Sequence, residues 1–113
     1  MANCKIEFLP EAYKDLNEIF DYILLDSPAN AQATLDKIIY SIEKLETFPL
    51  LGKQLINEYL NYYQFRMIIV KPYIVFYRFL HDKIYIYRIL HGASDYMTIL
   101  KDIWYQKARM IIH

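Results

Sequence analysis

The stretch that most constrains the fold is 73–92, YIVFYRFLHDKIYIYRILHG. Nearly every position is aromatic or β-branched, which is strand composition. A single two-residue break, His81-Asp82, divides it, and such a break between two strand-like runs reads as a tight hairpin. Strands are therefore predicted over 73–80 and 83–90. Upstream, YYQFRMIIV (62–70) reads as a third strand joined through Lys71-Pro72, giving an antiparallel meander. Yet each strand carries a permanent charge, at Arg66, Arg78 and Arg88. What those charges do is the functional question.

The remaining segments supply the other layer. CKIEFL (4–9) is strand-like. Pro10 suits the first turn of a helix, and Ala12, Leu16, Ile19, Phe20, Ile23 and Leu24 recur at helical spacing through about residue 26. Ser27-Pro28 then reads as the cap and first turn of a second helix. Its apolar stripe is Ala31, Leu35, Ile38, Ile39, Ile42 and Leu45, ending near Phe48-Pro49. Residues 49–61, with Pro49 and Gly52, read as a loop. After Gly92, the spacing of Met97, Leu100 and Ile103-Trp104 predicts a short closing helix. The expected order is β-α-α-β-β-β, a helical hairpin packed on one face of an antiparallel sheet, an α+β fold. At 113 residues the chain is expected to form a single domain over 1–113.

Two-residue turns place Tyr77 opposite Ile86, Val75 opposite Arg88, and Arg66 opposite Tyr77. Because side chains alternate along a strand, one sheet face collects Arg66, Val75, Tyr77, Phe79, Ile86, Arg88 and Leu90. The other collects Phe65, Phe76, Arg78, Leu80, Tyr87 and His91. Both faces are greasy, as expected where 56% of residues are hydrophobic. The helices can cover only one. An uncovered apolar face predicts a partner chain, unless the C-terminal segment folds back over it. Val75, Tyr77, Phe79, Ile86 and Leu90 are the expected partner contacts. Twelve tyrosines add to the suggestion of an interaction surface.

Arg66 and Arg88 among tyrosines suit phosphate or carboxylate, since arginine offers a rigid donor fork. The plainer reading gives each a buried stem and a head in water or paired with Glu58 or Asp95. The net charge of zero argues against a globally basic nucleic-acid binder. The lone Cys4 excludes an internal disulfide and suits a reducing compartment. Three dispersed histidines suggest no metal site, and two glycines form no phosphate-binding loop. No cofactor is expected. No apolar run reaches the ~18 residues of a membrane span. MANCKIEFLPEAY lacks a signal-peptide layout, so a cytoplasmic protein is expected.

The opening IEFLPEAYKDLNEIFDYI, the strand wording PYIVFYR and the ending RILHG followed by Asp95 resemble the RelE/ParE superfamily over residues 4–100, and look closer to its ParE-like members. These are toxins of type II toxin–antitoxin modules, often called plasmid stabilisation proteins. The resemblance implies a growth-inhibiting cytoplasmic toxin neutralised by a cognate antitoxin that wraps around it, as a homodimer or a toxin–antitoxin hetero-oligomer. It leaves two targets open. ParE-like members poison DNA gyrase, and no catalytic residues carry over from them. RelE-like members are ribosome-dependent mRNA endonucleases. For that branch alone, Arg66, Arg88, His91 and Tyr96 would be the catalytic set, stabilising the phosphate and transferring protons. Ala93 and Ser94 stand where that branch carries basic residues, and PYIVFYR lacks its arginine after the tyrosine. Whether the chain is an enzyme thus stays open, and a non-toxic interaction module is the third reading.

Overall fold

A computed structural model of the chain describes residues 3–57 and 64–103. Glu58, the expected strand start Tyr62-Tyr63, and Trp104 lie outside them. The first strand, β1, covers Lys5–Phe8. Helix α1 runs Pro10–Leu24. Proline there lacks only an N–H that the first turn leaves unbonded anyway, and Glu11 puts negative charge at the positive end of the helix dipole. The helix stops two residues short of the expected end, where the amides of Asp26 and Ser27 both turn back to the Ile23 carbonyl. The Ser27 hydroxyl then accepts from Asn30 N at 3.2 Å. This caps α2, Pro28–Glu43, which tightens into a 3₁₀ turn at Lys44–Glu46.

The strands that follow are β2 (Lys53–Gln54), β3 (Arg66–Val70), β4 (Tyr73–Leu80) and β5 (Lys83–His91). They form one five-stranded sheet in the order β1-β5-β4-β3-β2. The expected α+β class and helical hairpin are observed. Two details were not anticipated. β1 joins β5 in parallel, and β2, lying in the expected loop, adds an edge strand of two residues. His81 and Asp82 take φ of 50° and 61°, the left-handed pair that lets a two-residue turn match strand twist. Residues 96–103 form helix α3.

The register holds as expected from Leu80↔Lys83 to Tyr77↔Ile86, then shifts. Phe76 faces Arg88 and Val75 faces Ile89, so Tyr87 is an extra residue in β5. Such a bulge re-aims the side chains beyond it. It corrects the expected Val75–Arg88 pairing, and it sends Leu90 to the face opposite Val75.

Both faces of the sheet's central strands are covered. On one, α1, α2 and the 3₁₀ turn pack Ala12, Leu16, Ile38, Ile42 and Leu45 onto Val75, Tyr77, Ile84, Ile86 and Ile89. On the other, Leu100 with Met97, Ile99 and Ile103 of α3 closes over Phe76 and Leu90, and Leu55 and Phe65 complete the cluster. The expected open face is therefore corrected: the C-terminal segment folds back over it. Each fully buried large apolar side chain contributes about 1.5–3 kcal/mol, enough to favour closure over exposure.

Candidate functional site

Arg88 is held by a helix carboxylate. Its side chain reaches α1 from the helix-covered face of the sheet, two residues on from Ile86. Its Nε donates to Asp15 Oδ2 at 2.7 Å and its Nη2 to Oδ1 at 2.8 Å, a two-pronged ion pair. Ile89 N donates to the same Oδ2 at 2.9 Å. Asp15 is only 6% exposed. The hydrogen bond to Asp15 raises the Arg88 pKa above its ordinary range; burial pulls it down, and the charges of Asp15, Glu11 and Glu18 push it up again. A charge buried this way is tolerated because it is paired and hydrogen-bonded. The carboxylate partners weighed in the sequence were Glu58 and Asp95. Asp95 instead caps α3, accepting from Thr98 N and the Thr98 hydroxyl. Asp15 was missed, although one signal was present: it interrupts the apolar stripe between Ala12 and Leu16.

Arg66 lies opposite Tyr77, as expected, and belongs to a second node. The Tyr77 ring is fully buried. Its hydroxyl donates to the Pro49 carbonyl and accepts from Gly52 N, both at 2.8 Å. Arg66 Nη1 donates to the Gly52 carbonyl at 2.9 Å and weakly to Leu50 O at 3.5 Å. Burial raises the Tyr77 pKa, against smaller opposing pulls from the Gly52 hydrogen bond and the Arg66 charge. Gly52 is required by contact: a Cβ there would stand 2.5 Å from Tyr77 Cε1. The node holds a loop that presents Phe48, Leu50, Leu51 and Ile56 to solvent.

The other candidates disperse. His91 Nδ1 accepts from Ala93 N at 3.0 Å, and its ring meets Tyr73 edge-on at 5.8 Å. Tyr96 packs on Phe76, with ring centres 5.2 Å apart, on the α3 face. Arg66, Arg88, His91 and Tyr96 are thus split among a loop clamp, a helix contact, a strand end and the far side of the sheet. Arg78, also on that far side, donates to the Tyr87 hydroxyl at 3.1 Å.

The expected partner contacts need correction as well. Val75, Tyr77 and Ile86 are wholly buried under the helical hairpin, Phe79 packs against the same cluster, and Leu90 lies beneath α3. None forms an open docking surface. Large apolar side chains that do face solvent include Tyr13, Tyr22, Leu24, Leu25 and Tyr40 on and beside the hairpin, several in the 48–56 loop, and Ile69 on β3. Among the described residues, no group of three His, Cys, Asp or Glu could hold a metal ion. No described helix is long and apolar enough to cross a membrane.

Residues 6–96 match the family described as "ParE toxin of type II toxin-antitoxin system, parDE". The chain belongs to the ParE toxin family. Among solved structures, it is similar to one titled "Chromosomal ParDE TA system from P. aeruginosa", with a TM-score of 0.64 and 22% identity. That likeness covers 78% of this chain and 95% of the other, and at that identity it speaks for the ParE-like fold alone. Among curated proteins none matches the sequence.

Proposed function

We propose that the chain is a growth-inhibiting, cytoplasmic ParE-like toxin that poisons DNA gyrase by binding it and is held inactive by a cognate antitoxin. The observation that carries the binding mode is the engagement of both candidate arginines by the chain itself. Arg88 is spent on Asp15 and Arg66 on the 49–52 loop. In-line cleavage of RNA needs several cations and a proton-transfer group around one phosphate. Here the four residues that would supply them do not converge. Apolar groups exposed on the hairpin and the 48–56 loop favour a protein target over a phosphate backbone.

The test is a supercoiling assay with purified full-length protein and gyrase. Trapped, cleaved DNA is the expected result, together with a DNA-damage response in arrested cells. Normal supercoiling at saturating protein overturns the reading, and codon-spaced cuts in a translated message would transfer the function to ribosome-dependent cleavage. Growth unaffected by induced expression would leave an interaction module. Co-expression of a small neighbouring frame encoding a DNA-binding domain with an amphipathic tail should restore growth.

A further inference from the structure

Glu11, Asp15, Glu18, Tyr22 and Leu25 follow one another at steps of four and three, so they share one face of α1 and its end. Asp15 is turned inward onto Arg88. Beyond it, between α1 and the end of the sheet where β4 begins and β5 finishes, the surface opens into a groove of about 670 Å³. Glu18, Ile19, Tyr22, Tyr73, Arg88 and His91 are among its lining residues. Its fixed charge is unbalanced. Arg88 is the groove's arginine, while Asp15 touches it and Glu11 and Glu18 act on it through space. In a chain of zero formal net charge, the groove's lining thus carries two carboxylates, Asp15 and Glu18, against one arginine.

The walls are aromatic. Tyr22 is 75% exposed. Tyr73 is mostly buried, and its pKa is raised first by that burial and then by the nearness of Tyr22. Beside the groove Leu25 is 89% exposed. A negative potential repels phosphate, and tyrosine faces attract cations. A planar, weakly hydrated guanidinium stacks on rings and pairs with a carboxylate better than an ammonium does. The adjoining apolar residue calls for apolar neighbours on the same ligand.

We infer that the groove beside α1 seats an arginine side chain of a partner polypeptide, against Tyr22 and Tyr73 with Glu18 as counter-ion, and that apolar residues next to that arginine cover Leu25. The inference stands on the groove's charge and walls, whether the partner is an antitoxin, a target or neither.

The experiment uses the full chain, with NMR of the tyrosine rings as readout. The probes are a short peptide with one arginine between two leucines, and the same peptide with neutral citrulline. The arginine peptide should shift the Tyr22 and Tyr73 ring signals, and the citrulline peptide should bind about three- to tenfold more weakly. Glu18→Gln and Tyr22→Ala each change an exposed side chain and should weaken the arginine peptide by a similar factor. Equal response to both peptides, unchanged binding in both variants, or no ring shift at millimolar peptide would overturn the inference. So would self-association of the unliganded protein that Glu18→Lys abolishes, since the occupant would then be a second copy. A chain that traps gyrase but ignores the peptide sinks only the groove. One that binds the peptide and leaves gyrase alone sinks only the toxin reading.

Discussion

Arg66 and Arg88 sit in one sheet with a strand between them, and each is engaged by its own chain in a different way. Arg88 meets a buried carboxylate from a helix 73 residues away in sequence. Arg66 meets backbone carbonyls of a partly exposed loop. The first contact joins two layers of the fold through opposite charges. The second joins a loop to the sheet edge through dipoles, with Tyr77 as the deeper anchor. The difference sets their worth. Asp15, only 6% exposed, depends on Arg88 for its counter-charge, whereas the Leu50 carbonyl that Arg66 also meets is already exposed.

The contrast is broken most severely at Asp15. Asp15→Ala leaves the half-buried Arg88 guanidinium without its counter-charge and strips the buried Ile89 N of its acceptor. The expected cost is about 2–4 kcal/mol, a large share of the ~5–15 kcal/mol that holds a domain folded. Urea unfolding measures it. Replacing both partners, Asp15→Leu with Arg88→Met, should recover most of the loss, because neither buried charge then remains. A single-variant cost under about 1 kcal/mol, the range of an exposed pair, would show that Asp15 and Arg88 are solvated and that the two arginine sites are alike.

How far these nodes were legible in the sequence follows from the same physics. The His81-Asp82 turn fixes the β4–β5 register because two central residues allow one pairing, and the prediction held from Leu80 to Tyr77. It failed at Tyr87, since a bulge inserts one ordinary strand residue and leaves no compositional mark. That miss put Leu90 on the wrong face. The Asp15 contact left a mark, a carboxylate within an apolar helical stripe, but its partner lies in the last strand and spacing along the chain cannot name it. The cover over the second face was open in principle. Met97 and Leu100 have helical spacing whether they pack on the sheet or face solvent, and burial against Phe76 and Leu90 decides it. β2 was invisible because two residues carry no period.

The Arg66 node is probed next at Gly52. Gly52→Ala places a methyl group 2.5 Å from Cε1 and 2.6 Å from the hydroxyl oxygen of Tyr77. The Tyr77 ring is enclosed by the core and cannot retreat, so the loop must move. The expected cost is about 1–3 kcal/mol, as for overpacking elsewhere. Hydrogen exchange should locate the change in residues 49–54 and leave α1 protected. A change that spread to α1 would mean that the two nodes form one cooperative unit.

The smallest effect is the most discriminating. Tyr77→Phe removes the hydroxyl that bridges Pro49 O and Gly52 N, at a cost of about 1 kcal/mol near neutral pH. The sign of its pH dependence follows from the raised pKa. An unfolded tyrosine ionises near 10.0, and burial moves Tyr77 above that value in the folded chain. Below pH 10 both states keep the proton, and the hydroxyl's contribution is present in full. Above it the unfolded chain releases the proton and the folded chain does not, so the contribution falls until the folded value is passed. The stability gap between wild type and Tyr77→Phe should therefore be level below about pH 10 and close above it. Tyr73, also raised, is common to both proteins and cancels from the difference. The gap between wild type and Asp15→Ala should show no break there, because no tyrosine takes part in that pair. Parallel curves for Tyr77→Phe through about pH 11 would mean that the hydroxyl is open to water and that the loop, not the tyrosine, carries the node.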